Sequence, residues 1–174
     1  RLRKDTRDQQ HYTVLDIPPG RSLNFEGVGD GIAAVLTELD LDDVQSRDVL
    51  GDNPGKPVMA RFETFDGLVV EVSAWRLPEG TRLTFLASAD AELAGKFPAV
   101  TDSADKGDGD EAIDEATDED DADAEPAAAP RSIDEVRQEA DVLNVRLGGH
   151  VYTVPSFKAE QLTRRPQDLT SPSP

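Results

Sequence analysis

Two imidazoles, His11 and His150, are the ordinary acid–base and metal-binding groups that this 174-residue chain offers near neutral pH, and cysteine is absent. Without cysteine there is no disulfide, no thiolate metal site and no cysteine nucleophile. Each histidine stands at the edge of a strand-like segment, and no carboxylate or serine lies at a spacing that would make a triad or metal set with it. Both are therefore expected in structural roles, at the surface or half buried. The glycines of "GVGDG", residues 27 to 31, lack the GxGxxG spacing of a dinucleotide loop, and no βαβ unit surrounds them. The acidic phrase "DKGDGDEAIDE", residues 105 to 115, suggests a calcium loop. Registers starting at Asp102, Asp105 or Asp108 fail to put oxygen ligands at the first, third and fifth positions with glycine sixth and glutamate twelfth. No catalytic, cofactor-binding or metal-binding residue is assigned on these grounds, and no cofactor is expected.

The charge narrows the partners. The formal net charge is -18, with 36 acidic and 18 basic residues. Phosphate binding needs the opposite sign, so nucleic acid and direct contact with anionic lipid are not expected. Between Asp102 and Glu125 stand thirteen acidic residues and one lysine, a net of -12 that leaves -6 for the rest. That tract cannot bury enough apolar area to offset its ordering entropy.

The elements that would position any site follow from periodicity. A short strand is expected over Tyr12, Val14 and Ile17, ended by Pro18, Pro19 and Gly20. Val28, Ile32, Val35, Leu36 and Leu39 recur at helical spacing, which predicts a helix from about residue 28 with Asn24 as a possible N-cap. From Val58 to Ala89 the period changes to alternation, broken at "DG" and "PEG", which predicts a three-stranded antiparallel meander with Val70, Val72 and Ala74 on its core face. Asp66-Gly67 fits a type I′ hairpin turn. Residues 91 to 130 are expected to be mostly disordered. "SIDE" at Ser132 to Glu135 is a capping box opening a helix that Gly148-Gly149 closes. A strand "HVYTV" follows, and then a last helix capped by Ser156 and stopped by Pro166.

Taken in order, a strand, "LNFEGVGDGIAAVLTELDLDDV", "ETFDGLVVEVSAW", "TRLTFLASAD", a linker and "LNVRLGGHVYTVPSFKAEQLTRRPQDL" resemble the C-terminal part of a bacterial domain-of-unknown-function family, the one numbered forty-three forty. The resemblance covers residues 11 to 90 and 132 to 169 and rests on hydrophobic patterns, not on catalytic motifs. It implies a membrane-anchored accessory protein of a gliding-motility-type ABC transporter, with this fragment on the periplasmic side of the inner membrane. The anchoring N-terminal helix would lie upstream, since "RLRKDTRDQQHY" lacks an initiator Met and reads as a piece of a longer protein. Transporter subunits would be the protein partners.

The expectation is thus an α+β fold, an antiparallel meander packed with amphipathic helices. Residues 1–100 form the first part of one domain, 101–130 an acidic disordered linker, 131–169 the helix-strand-helix that completes the domain, and 170–174 a disordered tail. The expected function is a non-enzymatic interaction or scaffold module. The alternatives are a carbohydrate-processing or other hydrolase with unidentified carboxylates, or a calcium-responsive domain.

Overall fold

The computed structural model describes residues 1–37, 39–52, 54–97 and 131–173. The expected acidic linker 101–130, with its registers at Asp102, Asp105 and Asp108, lies outside the described residues.

The fold is α+β with antiparallel sheets. The meander forms as β5 (Val58–Glu63), β6 (Leu68–Leu77) and β7 (Gly80–Ala89). The C-terminal strand β8 (His150–Thr153) extends it by pairing Arg82 with Thr153 and Leu83 with Tyr152. On β8's other side β4 (Asp43–Ser46) pairs from Asp43↔Thr153 to Ser46↔His150. The strand order β4-β8-β7-β6-β5 therefore puts a late strand between two early ones.

One face of this sheet carries Leu68, Val72, Ala74, Leu83 and Ala87, all buried. Helix α3 (Ile133–Leu147) covers part of it with Val136 and Ala140, and α4 (Ser156–Leu162) covers another part with Ala159 and Leu162. The capping box opens α3 as expected: Ser132 N–H donates to Glu135 Oε2 at 2.7 Å, and Glu135 N–H to Ser132 Oγ at 3.3 Å. The opposite face also holds buried side chains. Val69 and Trp75, expected to face away from the core, are 1% and 8% exposed, and Trp75 Nε1 donates to Gly55 O at 3.3 Å. The 3₁₀ turn Arg47–Leu50, with Gly51, Asp52 and Pro54, lies against Trp75, a cover that strand alternation alone does not reveal.

A smaller unit packs the chain ends together. The two-residue strands β1 (Leu2–Arg3) and β2 (Thr13–Val14) pair, as do β3 (Arg21–Leu23) and β9 (Thr170–Pro172). Val14, Val28 and Leu169 form its core, with Leu2, Leu23 and Ile32 around them. The tail expected at 170–174 is thus corrected over Thr170–Pro172: Arg21 Nε donates to Thr170 Oγ1 at 2.7 Å, and Thr170 is 4% exposed.

Several further expectations change. The helix expected from residue 28 is only one turn, α1 (Asp30–Ala33), followed by turns through Thr37. Gly27, Gly29 and Gly31 account for its late start, since a helical glycine costs about 1 kcal/mol relative to alanine, and the division of the stripe between two apolar clusters accounts for its early end. Asn24 caps nothing there; its Nδ2 donates to Asp168 O at 3.3 Å. The 63-to-68 connection is a four-residue turn in which Gly67 alone has positive φ, +91°. A Cβ on Gly67 would sit 2.5 Å from Asp90 O. Within the stretch expected to be disordered, α2 (Ala91–Lys96) forms because the Asp90 carboxylate accepts from Leu93 N–H at 3.0 Å. Helix α4 begins after Pro155 with no side-chain cap, so Ser156 lies inside it, and it ends at Leu162 before Pro166 is reached.

Candidate functional site

A partly open apolar cavity of about 260 Å³ lies between α3, the sheet and the side chains of Leu36, Leu39 and Leu41. Leu36, Leu39 and Leu41 form one wall, Val70, Phe85 and Ala87 the floor, and Leu143 and Leu147 the helix side. Its polar members are Asn144 and Tyr152.

The cavity exists because β8 leaves β7 early. Pairing stops at Leu83, so the outward backbone groups of Ala87 have no strand beside them. Asn144 replaces the missing strand: its Oδ1 accepts from Ala87 N–H and its Nδ2 donates to Ala87 O, both at 2.8 Å. The amide is thereby committed to the fold. Tyr152 is 5% exposed and packs edge-on to Phe85, with ring centroids 5.4 Å apart. Burial pushes its phenol above the ordinary value, so it stays a neutral hydroxyl. What remains in the cavity is hydrocarbon and the neutral phenol of Tyr152.

A second notch of about 370 Å³ lies beside Trp75 and is lined by Arg47, Asp48, Leu50, Gly51, Asp52 and Pro54. Asp48 accepts from Ser46 Oγ at 2.9 Å, and both aspartates are exposed. Near it the buried Arg82 reaches from β7 across β8 to Gln45 Oε1 and lies 3.5 Å from Glu79, leaving its Nε without a partner among the described residues.

The structure gives His11 a partner that no local spacing predicts. Asp30, nineteen residues on, faces His11 Nδ1 through Oδ2 at 2.6 Å, and its Oδ1 accepts from Tyr12 N–H at 2.9 Å. The "GVGDG" stretch makes this possible: Gly27 has φ +76°, and a Cβ there would meet His11 Nδ1 at 2.9 Å. The Tyr12 N–H, then His11, hold the Asp30 carboxyl below its ordinary value. A depressed carboxyl stabilises the fold above the unfolded value, about 4, and that stability is lost as pH falls through the folded value. Exposure of the pair limits the effect to about 1 kcal/mol or less. Asp30→Asn should therefore lower the melting temperature at neutral pH, and the gap from the parent should close as the pH is taken below about 4. An unchanging gap across that range would show that Asp30 does not act through its charge.

His150 stands elsewhere, on β8, 6.3 Å from the Tyr152 ring. The two histidines do not share a site. Among the described residues no group of three or more His, Asp or Glu side chains is placed to hold a metal, and no helix is long and apolar enough to cross a membrane. Asn144 and Tyr152 are the site residues that sequence reasoning misses. Asn144 stands four residues after Ala140 on the apolar face of α3, a polar residue in a buried stripe, but its position alone does not say what its amide will meet.

Comparison with known proteins adds nothing to this geometry: no family model, no curated protein and no solved structure matches the chain.

Proposed function

We propose that this chain is a non-enzymatic interaction module that seats one apolar side chain of a protein partner in the cavity between α3 and the sheet. The observation that carries this reading is the commitment of the cavity's one amide. Asn144 is used on both its donor and acceptor sides by Ala87, and what remains is hydrocarbon with one neutral phenol. At about 260 Å³ the cavity falls just below the roughly 300–1,000 Å³ of small-molecule sites, which favours a single anchoring side chain.

The kind of partner, an ABC transporter subunit, and a location on the periplasmic side of a membrane are proposed on the sequence resemblance alone. The carbohydrate-processing alternative has its best carboxylates in Asp48 and Asp52. Both are exposed, whereas the general acid of a glycosidase needs surroundings that keep it protonated near neutrality.

Leu41 is 46% exposed on the cavity wall, so Leu41→Asp adds a charge there at little cost to folding. Co-expression of the full-length protein with the transporter subunits encoded beside it should give co-purification that Leu41→Asp abolishes. Co-purification unaffected by Leu41→Asp would remove the cavity from the interface, and none with the parent would remove the transporter assignment.

A further inference from the structure

The two edge strands of the five-stranded sheet are β4 and β5; β5 has no second strand beside it among the described residues, and its sequence is self-complementary. Thr64 N–H donates to Leu68 O at 2.9 Å, and Thr64 and Leu68 extend the register that pairs Glu63 with Val69 and Phe62 with Val70. Backbone groups alternate along an antiparallel strand. Ala60, Phe62 and Thr64 therefore point their N–H and C=O groups at β6, while Met59, Arg61 and Glu63 point theirs away from the sheet. Val58 and Met59 are 43% and 59% exposed at one end of this edge.

We propose that β5 pairs antiparallel with β5 of a second copy of this chain, about a two-fold axis through Phe62. In this register Arg61 lies opposite Glu63 of the second copy, Glu63 lies opposite Arg61 of the second copy, and the two Phe62 residues face each other. The outward backbone groups of Arg61 and Glu63 then meet as hydrogen-bonded pairs. Of the even shifts that keep outward groups facing one another, those in one direction set Arg61 against itself and then against Met59, and the first in the other direction sets Glu63 against itself. Charge complementarity thus selects a single register. Charged side chains on an edge strand ordinarily discourage pairing; here the two-fold turns them into cross-strand ion pairs. In the isolated chain Arg61 shares its charge among Glu63 at 2.6 Å, Glu71 at 3.5 Å and Asp90 at 3.7 Å, all on the open face of the sheet. Exchanging one of these for a carboxylate of the second copy leaves no charge stranded.

The ladder is short, so the dimer is weak, with a Kd on the order of 0.1 mM. Sedimentation equilibrium of the whole chain over a concentration series reaching millimolar should show a monomer–dimer equilibrium. Arg61→Glu places like charges opposite each other twice and should weaken dimerisation by at least about tenfold, the weight of a difference of about 1.4 kcal/mol. The doubly exchanged Arg61→Glu/Glu63→Arg chain should restore it. Circular dichroism melts establish that each variant is folded before it is compared. A parent chain that stays monomeric at millimolar concentration overturns the proposal by itself. So does a dimer indifferent to Arg61→Glu, or one that the double exchange fails to recover.

Discussion

A chain ended at Ala129 is expected to be unfolded at room temperature. The truncation removes Val136, Tyr152, Val154, Leu162 and Leu169, all buried in the three apolar clusters. Burying a large apolar side chain stabilises by about 1.5–3 kcal/mol, so the loss is on the order of 10 kcal/mol, comparable with the whole 5–15 kcal/mol of an ordinary domain. It also strips β4 of its strand partner, since among the described residues β4 pairs only with β8. Loss of chemical-shift dispersion in an amide NMR spectrum would report the outcome; a cooperative melt in the truncated chain would contradict it. Deletion of residues 102 to 128 is the contrasting experiment. Phe97 packs edge-on to Phe65 with ring centroids 4.8 Å apart, and Arg131 Nε holds Asp66 Oδ2 at 2.7 Å. The two flanks thus meet at one turn, and a shorter connection changes closure cost by only about 0.6 kcal/mol per halving. The shortened chain should melt close to the parent.

Replacing Asn144 by leucine is expected to cost about 2–3 kcal/mol. The substitution leaves Ala87 N–H and C=O unpaired beside an apolar cavity, at about 1–3 kcal/mol each. The leucine regains roughly 1–2 kcal/mol by covering part of that cavity, too little to offset both. The melting temperature should fall by about 5–10 °C, taking about 2–4 °C per kcal/mol for a chain of this size. Val145→Ala, one residue along α3 and 87% exposed, should stay within about 0.5 kcal/mol of the parent. If the two variants melted alike, the amide would not be standing in for a strand.

The parts of this fold legible in the sequence are those whose signals are local. Alternation from Val58 to Ala89 marks the meander, and Ser132 with Glu135 marks the start of α3, because strand faces and caps are read within a few residues. The failures lie where the partner is distant. Val28 to Leu39 has helical spacing, but its residues divide between two clusters: Val28 and Ile32 face Leu169, while Val35, Leu36 and Leu39 face the sheet. Tertiary packing, together with three glycines, overrides the period. Thr170 to Pro172 looks like a frayed end because nothing nearby announces Arg21. The candidate cavity is the least legible part. It depends on where β8 stops pairing with β7, and each of its walls comes from a different stretch of the chain.

The position of β8 also sets an order of events. β4 and β7 are neighbours only through a strand that begins more than sixty residues after β7 ends. During synthesis the meander can zip from local contacts, but the sheet stays divided, with β4 detached, until His150 to Thr153 emerge. Through that interval the face carrying Val72, Leu83 and Ala87 has no helix over it, and the growing chain is at its most exposed to wrong partners.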